Sequence, residues 1–463
     1  MLTPRFKLSQ DANHVFITIH APYTNIGDTE INVDGENFLF VSSPYFLRLR
    51  LPGRLVDNDS SKGSYTCDSG DFTLTFDKEQ PGECFENLDM ITSLLAPRDI
   101  PDVNPALVEM LDEDGITLDE HEEINPTAEY AVGFANKLTT EFGDLASEYP
   151  QIFELRDPQN VAITDRNNLR IQYEDDKFSP DHYLADLYEP ELIFPYLEYT
   201  PFWDSPDYNN IDFTEDEISV LKELPNKSYL LTKTEKQQVM LGIIDILYGY
   251  CYDKRTTLND STVESSWTIN KLSSTLSWFC VFNDIQEVLI ACYRRALVFP
   301  IFRNFELCEA VKNDVTLLFE KGKKFIIKCF IEIHTMFNKS NDARYILNQL
   351  YIKDYLVFLQ KCSNEDINKL HYQILNNEIS KNDVELELEE LEHAAQLVKI
   401  EHSQILENEM ALKMASLNIL GLGSNNDALN EEESEDDDSS YIASDSSEDS
   451  SDDLDSDDDQ HPS

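Results

Sequence analysis

Residues 13–20 read NHVFITIH, and this alternation decides how the fold opens. Val15, Ile17 and Ile19 fall on one side of an extended chain, Phe16, Thr18 and His20 on the other. The period of two returns at 30–33, 38–41, 46–51 and 72–76 (FTLTF). Asp34-Gly35, Pro52-Gly53 and Ser69-Gly70 supply turn signals between these runs. Short strands with closely spaced turns predict an antiparallel β-sandwich over residues 1–96.

Outward from that region the pattern changes twice. Residues 97–129 are acidic and contain proline, with DEDG at 112–115 and DEHEE at 119–123, and are expected to form a linker. From residue 130 the periodicity is helical. Val239, Met240, Leu241, Ile243, Ile244, Ile246 and Leu247 follow Thr234-Glu235, which predicts a helix buried on all sides. Helical runs are predicted at 268–282, 288–299, 315–337 and 343–360 as well. Leu388, Leu391, Ala395, Val398, His402, Ile405, Glu409 and Leu412 mark one face of a long helix that ends near Gly421 and Gly423. His402 and Glu409 spoil the heptad, so a helix docked on its own domain is expected over a coiled-coil dimer. The all-α domain is thus placed at 130–423. Residues 424–463 hold little except Asp, Glu, Ser and Asn, and cannot bury enough apolar area to offset chain entropy. The fold class is multidomain β plus α, with a disordered acidic tail. Ser434, Ser446, Ser450 and Ser456 each have an acid three residues on, the spacing an acid-directed Ser kinase prefers.

The charge is more lopsided than the tail explains. The formal net charge is −53, and the tail contributes 17 acids and no Lys or Arg, leaving −36 on the preceding 423 residues. Residues 100–225 carry 31 acids against 6 bases. Such a surface repels nucleic acid and anionic membrane and attracts basic protein. The expected partner is therefore a basic protein that otherwise binds a polyanion, with no direct contact to nucleic acid or membrane. No apolar run of about 18 residues predicts a membrane span. Met1-Leu2-Thr3-Pro4-Arg5 has no signal-peptide core, so secretion is not expected. Of eight scattered cysteines, six lie in apolar helical sequence, as buried thiols of a reducing compartment do.

No catalytic constellation stands out. Phosphate-loop, nucleophile-elbow, zincin and dinucleotide glycine motifs are all missing from the sequence. The nine histidines are far apart, and His20 and His334 read as structural. Asp112-Glu113-Asp114-Gly115 and Glu174-Asp175-Asp176 lack the spaced donors of a calcium loop. The chain is read as a non-enzyme without cofactor or metal. Carboxylates on a rigid surface can instead pair with the Arg and Lys that neutralise phosphates, and so compete with RNA or DNA for one protein face. Glu174, Asp175, Asp176, Asp181, Asp186, Tyr188, Glu189, Tyr196 and Trp203 are the candidate contacts, because aromatics interleave with acids there. The same mixture suits an irregular segment strapped over a core.

Several blocks carry a family resemblance. MLTPRFKLSQD at 1–11, IxIHAPY at 17–23 and FVSSPYFLRLRLP at 40–52 resemble a CS domain, and more narrowly the one opening the Shq family of H/ACA ribonucleoprotein assembly factors. YAVGFANKL (130–138), RNNLRIQYEDDKFSPDHYLADLYE (166–189), LGIIDILYGYCYDKRTT (241–257), ESSWTINKLSSTLSWF (264–279) and RRALVFPIFRNF (294–305) resemble that family's own helical domain, in the expected order. The resemblance implies an assembly chaperone whose helical domain grips the RNA-binding face of the free H/ACA pseudouridine synthase subunit (dyskerin type) as a placeholder until guide RNA arrives. A monomer is expected, placed in the nucleus (nucleoplasm) and cytoplasm. The alternative is a general CS-domain co-chaperone delivering clients to a heat-shock ATPase chaperone.

Overall fold

In a computed structural model the described residues are 2–95, apart from 25, 59, 67 and 68, and 130–421, apart from 139–142 and 210. The expected linker at 97–129 and tail at 424–463, with Ser434, Ser446, Ser450 and Ser456, lie outside them.

Six strands open the chain: β1 (Arg5–Gln10), β2 (His14–His20), β3 (Glu30–Ser42), β4 (Tyr45–Val56), β5 (Lys62–Thr66) and β6 (Asp71–Lys78). They are antiparallel in the order β1-β2-β6-β4-β3, with β5 also on β6. The expected alternation is borne out: Val15, Ile17 and Ile19 are buried on β2, and Leu47, Leu49, Leu51 and Leu55 on β4, whose Arg48, Arg50 and Arg54 are exposed. Hydrogen bonding is continuous, yet β4 meets β6 only at Leu55–Lys78 and Val56–Asp77. The β3–β4 pair thus covers the other strands as a second layer. Rings close the core between them, Phe40 on Phe72 at 5.0 Å and Phe38 on Phe76 at 6.0 Å.

Two expected turns are corrected. Asp34-Gly35 lies within β3, where Gly35 at φ +57° begins a register shift against β4, a bulge and not a hairpin. Pro52-Gly53 lies within β4, where a Cβ on residue 53 would come within 2.1 Å of the Phe85 ring. The Ser69-Gly70 turn stands, directly before β6. β1 and β5 went unexpected because one has only Phe6 and Leu8 facing inward and the other (KGSYT) has no aliphatic alternation.

The helices are α1 (Ile91–Leu94), α2 (Gly143–Glu148), α3 (Ile163–Lys177), α4 (Pro180–Tyr188), α5 (Phe194–Leu197), α6 (Glu215–Glu223), α7 (Lys233–Thr256), α8 (Ser265–Leu272), α9 (Ser274–Trp278), α10 (Ile285–Val298), α11 (Phe305–Glu320), α12 (Lys323–Lys339), α13 (Tyr345–Leu347), α14 (Lys353–Lys361), α15 (Asn364–Leu375) and α16 (Leu388–Gly421). Thr232 and Glu235 cap α7 reciprocally, and every residue from Val239 to Arg255 is buried, the strongly apolar segment 239–247 as expected and Asp253, Lys254 and Arg255 beyond it. Helices α8, α10 and α11 pack around it. The run at 268–282 breaks at Ser273, and the run at 315–337 breaks at Gly322 (φ +84°). A π-turn at Asn348–Ile352 interrupts 343–360. Cys251, Cys280, Cys292, Cys308, Cys329 and Cys362 are buried free thiols. Among the described residues no helix is long and apolar enough to cross a membrane.

The described residues up to Gln396 form one compact unit, and those from Leu397 to Gly421, the rest of α16, belong to a second. Thr92 joins the two halves of the first. Its N–H donates to Gln360 Oε1 (2.9 Å) and its hydroxyl to the Leu221 carbonyl (2.5 Å). Arg5–Glu215 (2.6 Å) and Lys7–Asp212 (3.1 Å) pair across the same seam. On α16, Leu388 is buried and Leu391 and Ala395 half-buried, whereas Val398, His402, Ile405, Glu409 and Leu412 are exposed. The docked-helix expectation holds for the start of α16, through Ala395.

Candidate protein-binding surface

Helix α3 reads ITDRNNLRIQYEDDK, and a spacing of four sets Arg166, Arg170 and Glu174 on one face. That face is buried. Arg170 Nη1 donates to both Glu174 oxygens (2.8 and 2.7 Å), and Arg294 Nε of α10 donates to Glu174 Oε2 (2.8 Å). Arg295 Nη1 lies 3.6 Å from Glu174 Oε1. Arg294 also reaches Asp175 Oδ1 (2.6 Å) and the carbonyls of Ile171 and Val384. Arg166, with no carboxylate, donates to the carbonyls of Phe279, Ala131 and Pro158. A guanidinium carries five donors in a planar fork, so one arginine can hold several chain segments at once.

A second centre forms around Glu154. It accepts from Arg295 Nη2 (2.6 Å) and Trp278 Nε1 (2.5 Å) and pairs with Lys271. Burial alone would raise the Glu154 carboxyl, but Arg295 and Lys271 overrule it and hold it below the usual range. A third ties down α5 and the segment after it. Arg255 of α7 grips Asp314 of α11 with two bonds (2.6 and 2.7 Å) and donates to the Tyr196 carbonyl (2.6 Å). Trp203 Nε1 donates to the Asp314 carbonyl (3.2 Å). Asp245, inside α7, accepts from the Ser273 hydroxyl (2.5 Å) and the Thr275 N–H (2.7 Å) at the start of α9, and burial pushes its carboxyl up. The family-like blocks at 166–189, 241–257, 264–279 and 294–305 meet at these buried polar centres.

These centres turn cations inward. Among the described residues ten Lys/Arg are buried but only four Asp/Glu. The exterior of the described residues is consequently more acidic than those residues taken together. Between Lys177 and Lys222 there is no Lys or Arg and there are 11 Asp/Glu. Asp181, Glu189, Glu191 and Glu198 in this strap are exposed, and none of the ion pairs among the described residues includes them.

The nine predicted contacts divide. Glu174 and Trp203 are both 0% exposed, which corrects their assignment as contacts: one is the hub of three arginines, the other a core ring. Asp175 is exposed at its edge but engaged by Arg294. Asp186 is half-buried and accepts from the Arg303 N–H (2.5 Å). Tyr196 is half-buried against Phe302, centroids 4.6 Å apart, and Tyr188 is half-buried too. Asp176, Asp181 and Glu189 remain open to solvent. Glu191 and Glu198 were missed, though the lack of bases after Lys177 would have pointed to them. So were three exposed apolar residues, Leu192, Phe194 and Ile301. No periodicity marks them.

The opening residues 3–95 match the family model "SHQ1-like, CS domain", and residues 203–388 match "SHQ1 protein, Shq1 domain". The SHQ1 homolog of Xenopus tropicalis is 39% identical over 430 residues, covering 87% of this chain and 71% of that protein. The chain belongs to the SHQ1 family. The mouse (Mus musculus) SHQ1 homolog is 38% identical over 87% of this chain and 76% of its own length. The protein shq1 of Schizosaccharomyces pombe is 31% identical over 85% and 96%. The expected architecture, an antiparallel CS domain followed by a helical domain, is that of this SHQ1-family chain.

Proposed function

We propose that this SHQ1-family chain is an assembly chaperone for H/ACA ribonucleoproteins, holding the free pseudouridine synthase subunit by its RNA-binding face until guide RNA replaces it. The observation that carries this reading is the segregation of charge: ten of the fold's cations are drawn inside, while Asp181, Glu189, Glu191 and Glu198 of the strap stay exposed and outside every ion pair among the described residues. Carboxylates held by a rigid scaffold stand in for backbone phosphates opposite Arg and Lys, and they do so without bases, sugars or a nucleotide-hydrolysis step. The chain's role in this proposal is binding, not catalysis. A nuclear and cytoplasmic distribution belongs to the same proposal, since the subunit must be held between synthesis and assembly.

The test is capture of the synthase subunit by the full chain, with and without guide RNA, across a salt series. The proposal expects capture that RNA competes away and that weakens steeply with salt. Capture indifferent to RNA would place the interface elsewhere and make the chain a scaffold.

A further inference from the structure

Beside the acidic strap lies an apolar feature that charge segregation does not explain. Ile301 is 75% exposed, Leu192 59% and Phe194 49%, although the surrounding chain is firmly held. The turn bearing Ile301 is fastened on both sides. His182 Nε2 donates to the Ile301 carbonyl (2.8 Å), and Asp186 accepts the Arg303 N–H (2.5 Å). Arg303 Nε donates to the Pro300 carbonyl (3.0 Å), and Phe302 packs on Tyr196 at 4.6 Å. The tip is tethered to α4 and to α5, yet its side chain points at solvent. Phe194 and Leu192 sit in the same strap, between Glu189 and Glu198.

A carboxylate surface alone attracts any basic protein, because electrostatic attraction is long-ranged and weakly directional. Discrimination comes from apolar side chains that enter a matching recess, and a side chain presented by an already ordered turn incurs little further entropy cost on binding. We propose that Ile301, with Phe194 and Leu192, is an apolar anchor that selects one partner from among basic proteins. The occupant is a basic RNA-binding protein surface with an apolar recess between its cations; complementarity to the strap, which carries no Lys or Arg, sets its charge. This rests on the placeholder reading and adds what distinguishes the partner from RNA-binding proteins in general.

The experiment measures binding of full-length I301S and, separately, F194S to the H/ACA synthase subunit at low and high salt. Cytochrome c serves as a generic basic protein. Both positions are surface-exposed, so the variants should fold as the parent does. The expected result is an affinity about tenfold or more weaker at every salt concentration, with an unchanged salt slope and unchanged binding of cytochrome c. Parent-like binding by both variants overturns the anchor and leaves the placeholder reading intact. A loss confined to low salt also overturns it, because the effect would then be electrostatic. If the parent chain itself fails to bind the subunit, the placeholder reading falls and the anchor with it.

Discussion

Glu174 and Glu189 are the same residue type on the same acidic stretch, and the structure treats them in opposite ways. Glu174 is fully buried among Arg170, Arg294 and Arg295, every oxygen engaged. Glu189 is exposed and pairs with none of them. The difference lies in where the cations go. Loops strapped over a helical core carry carbonyls that need donors, and arginine forks supply them from inside. Once the core has taken its arginines, Asp181, Glu189, Glu191 and Glu198 of the strap are left outside every ion pair among the described residues. Net charge therefore understates how acidic the outer face is.

The largest effect should come from breaking the inner half of this contrast. Glu174→Ala removes the carboxylate at the centre of three buried guanidinium groups, leaving Arg170 with none while Arg294 keeps Asp175 and Arg295 keeps Glu154, which is expected to cost about 3–5 kcal/mol in urea unfolding. A cost below about 1 kcal/mol would mean that the arginines find other acceptors and that Glu174 is no hub. The outer half should respond inversely. Reversing Asp181, Glu189 and Glu191 together to Lys is expected to weaken capture of the synthase subunit about a hundredfold at low salt. Unfolding free energy should move by no more than about 0.5 kcal/mol. Unfolding with intact affinity would interchange the roles assigned to the two faces.

The sequence made one half of this contrast far easier to read than the other. Alternation on β2 and β4 and the strongly apolar segment of α7 announce their burial because each is a local pattern. The Asp34-Gly35 and Pro52-Gly53 signals misled because glycine answers equally to a turn, a bulge or a close approach, and only the register against β4 or the Phe85 ring decides which. Acids 174–176 looked like one solvated cluster. Helical spacing put Glu174 inward with Arg170, but its other partners come from α10, more than a hundred residues along, and no local pattern reports them. Ile301 was invisible for a different reason: an apolar residue in an apolar block reads as core, and only the turn's tethering turns it outward.

Asp253 sharpens the contrast from inside, because it is a buried acid that none of the ion pairs among the described residues includes. Its neighbour Lys254 pairs with Glu332 instead (2.6 Å). Burial pushes the Asp253 carboxyl up to about 6, with Glu332 adding to the rise and Ser265 and Lys254 opposing it. Between about pH 4 and pH 6 the folded chain therefore keeps a proton that the unfolded chain has lost, so this group's contribution to stability falls as pH rises. Asp253→Asn should match the parent near pH 4 and exceed it above pH 6, by on the order of 2 kcal/mol. A stability difference between the two that does not change with pH would show that Asp253 is ionised in the fold after all.

The smallest effect should come from the seam, where opposite charges pair as they do inside but in water. Arg5–Glu215 and Lys7–Asp212 have side chains 51–73% exposed. Replacing Arg5 and Lys7 together by Ala is expected to lower stability by under about 1 kcal/mol, and salt should erase most of that loss. The seam has another fastening in Thr92, buried with Gln360 and the Leu221 carbonyl, whose bonds do not depend on ionic strength. A loss of several kcal/mol in the double variant would give surface pairs the weight of the Glu174 centre. The contrast between inner and outer charge would then be one of partner alone, not of burial.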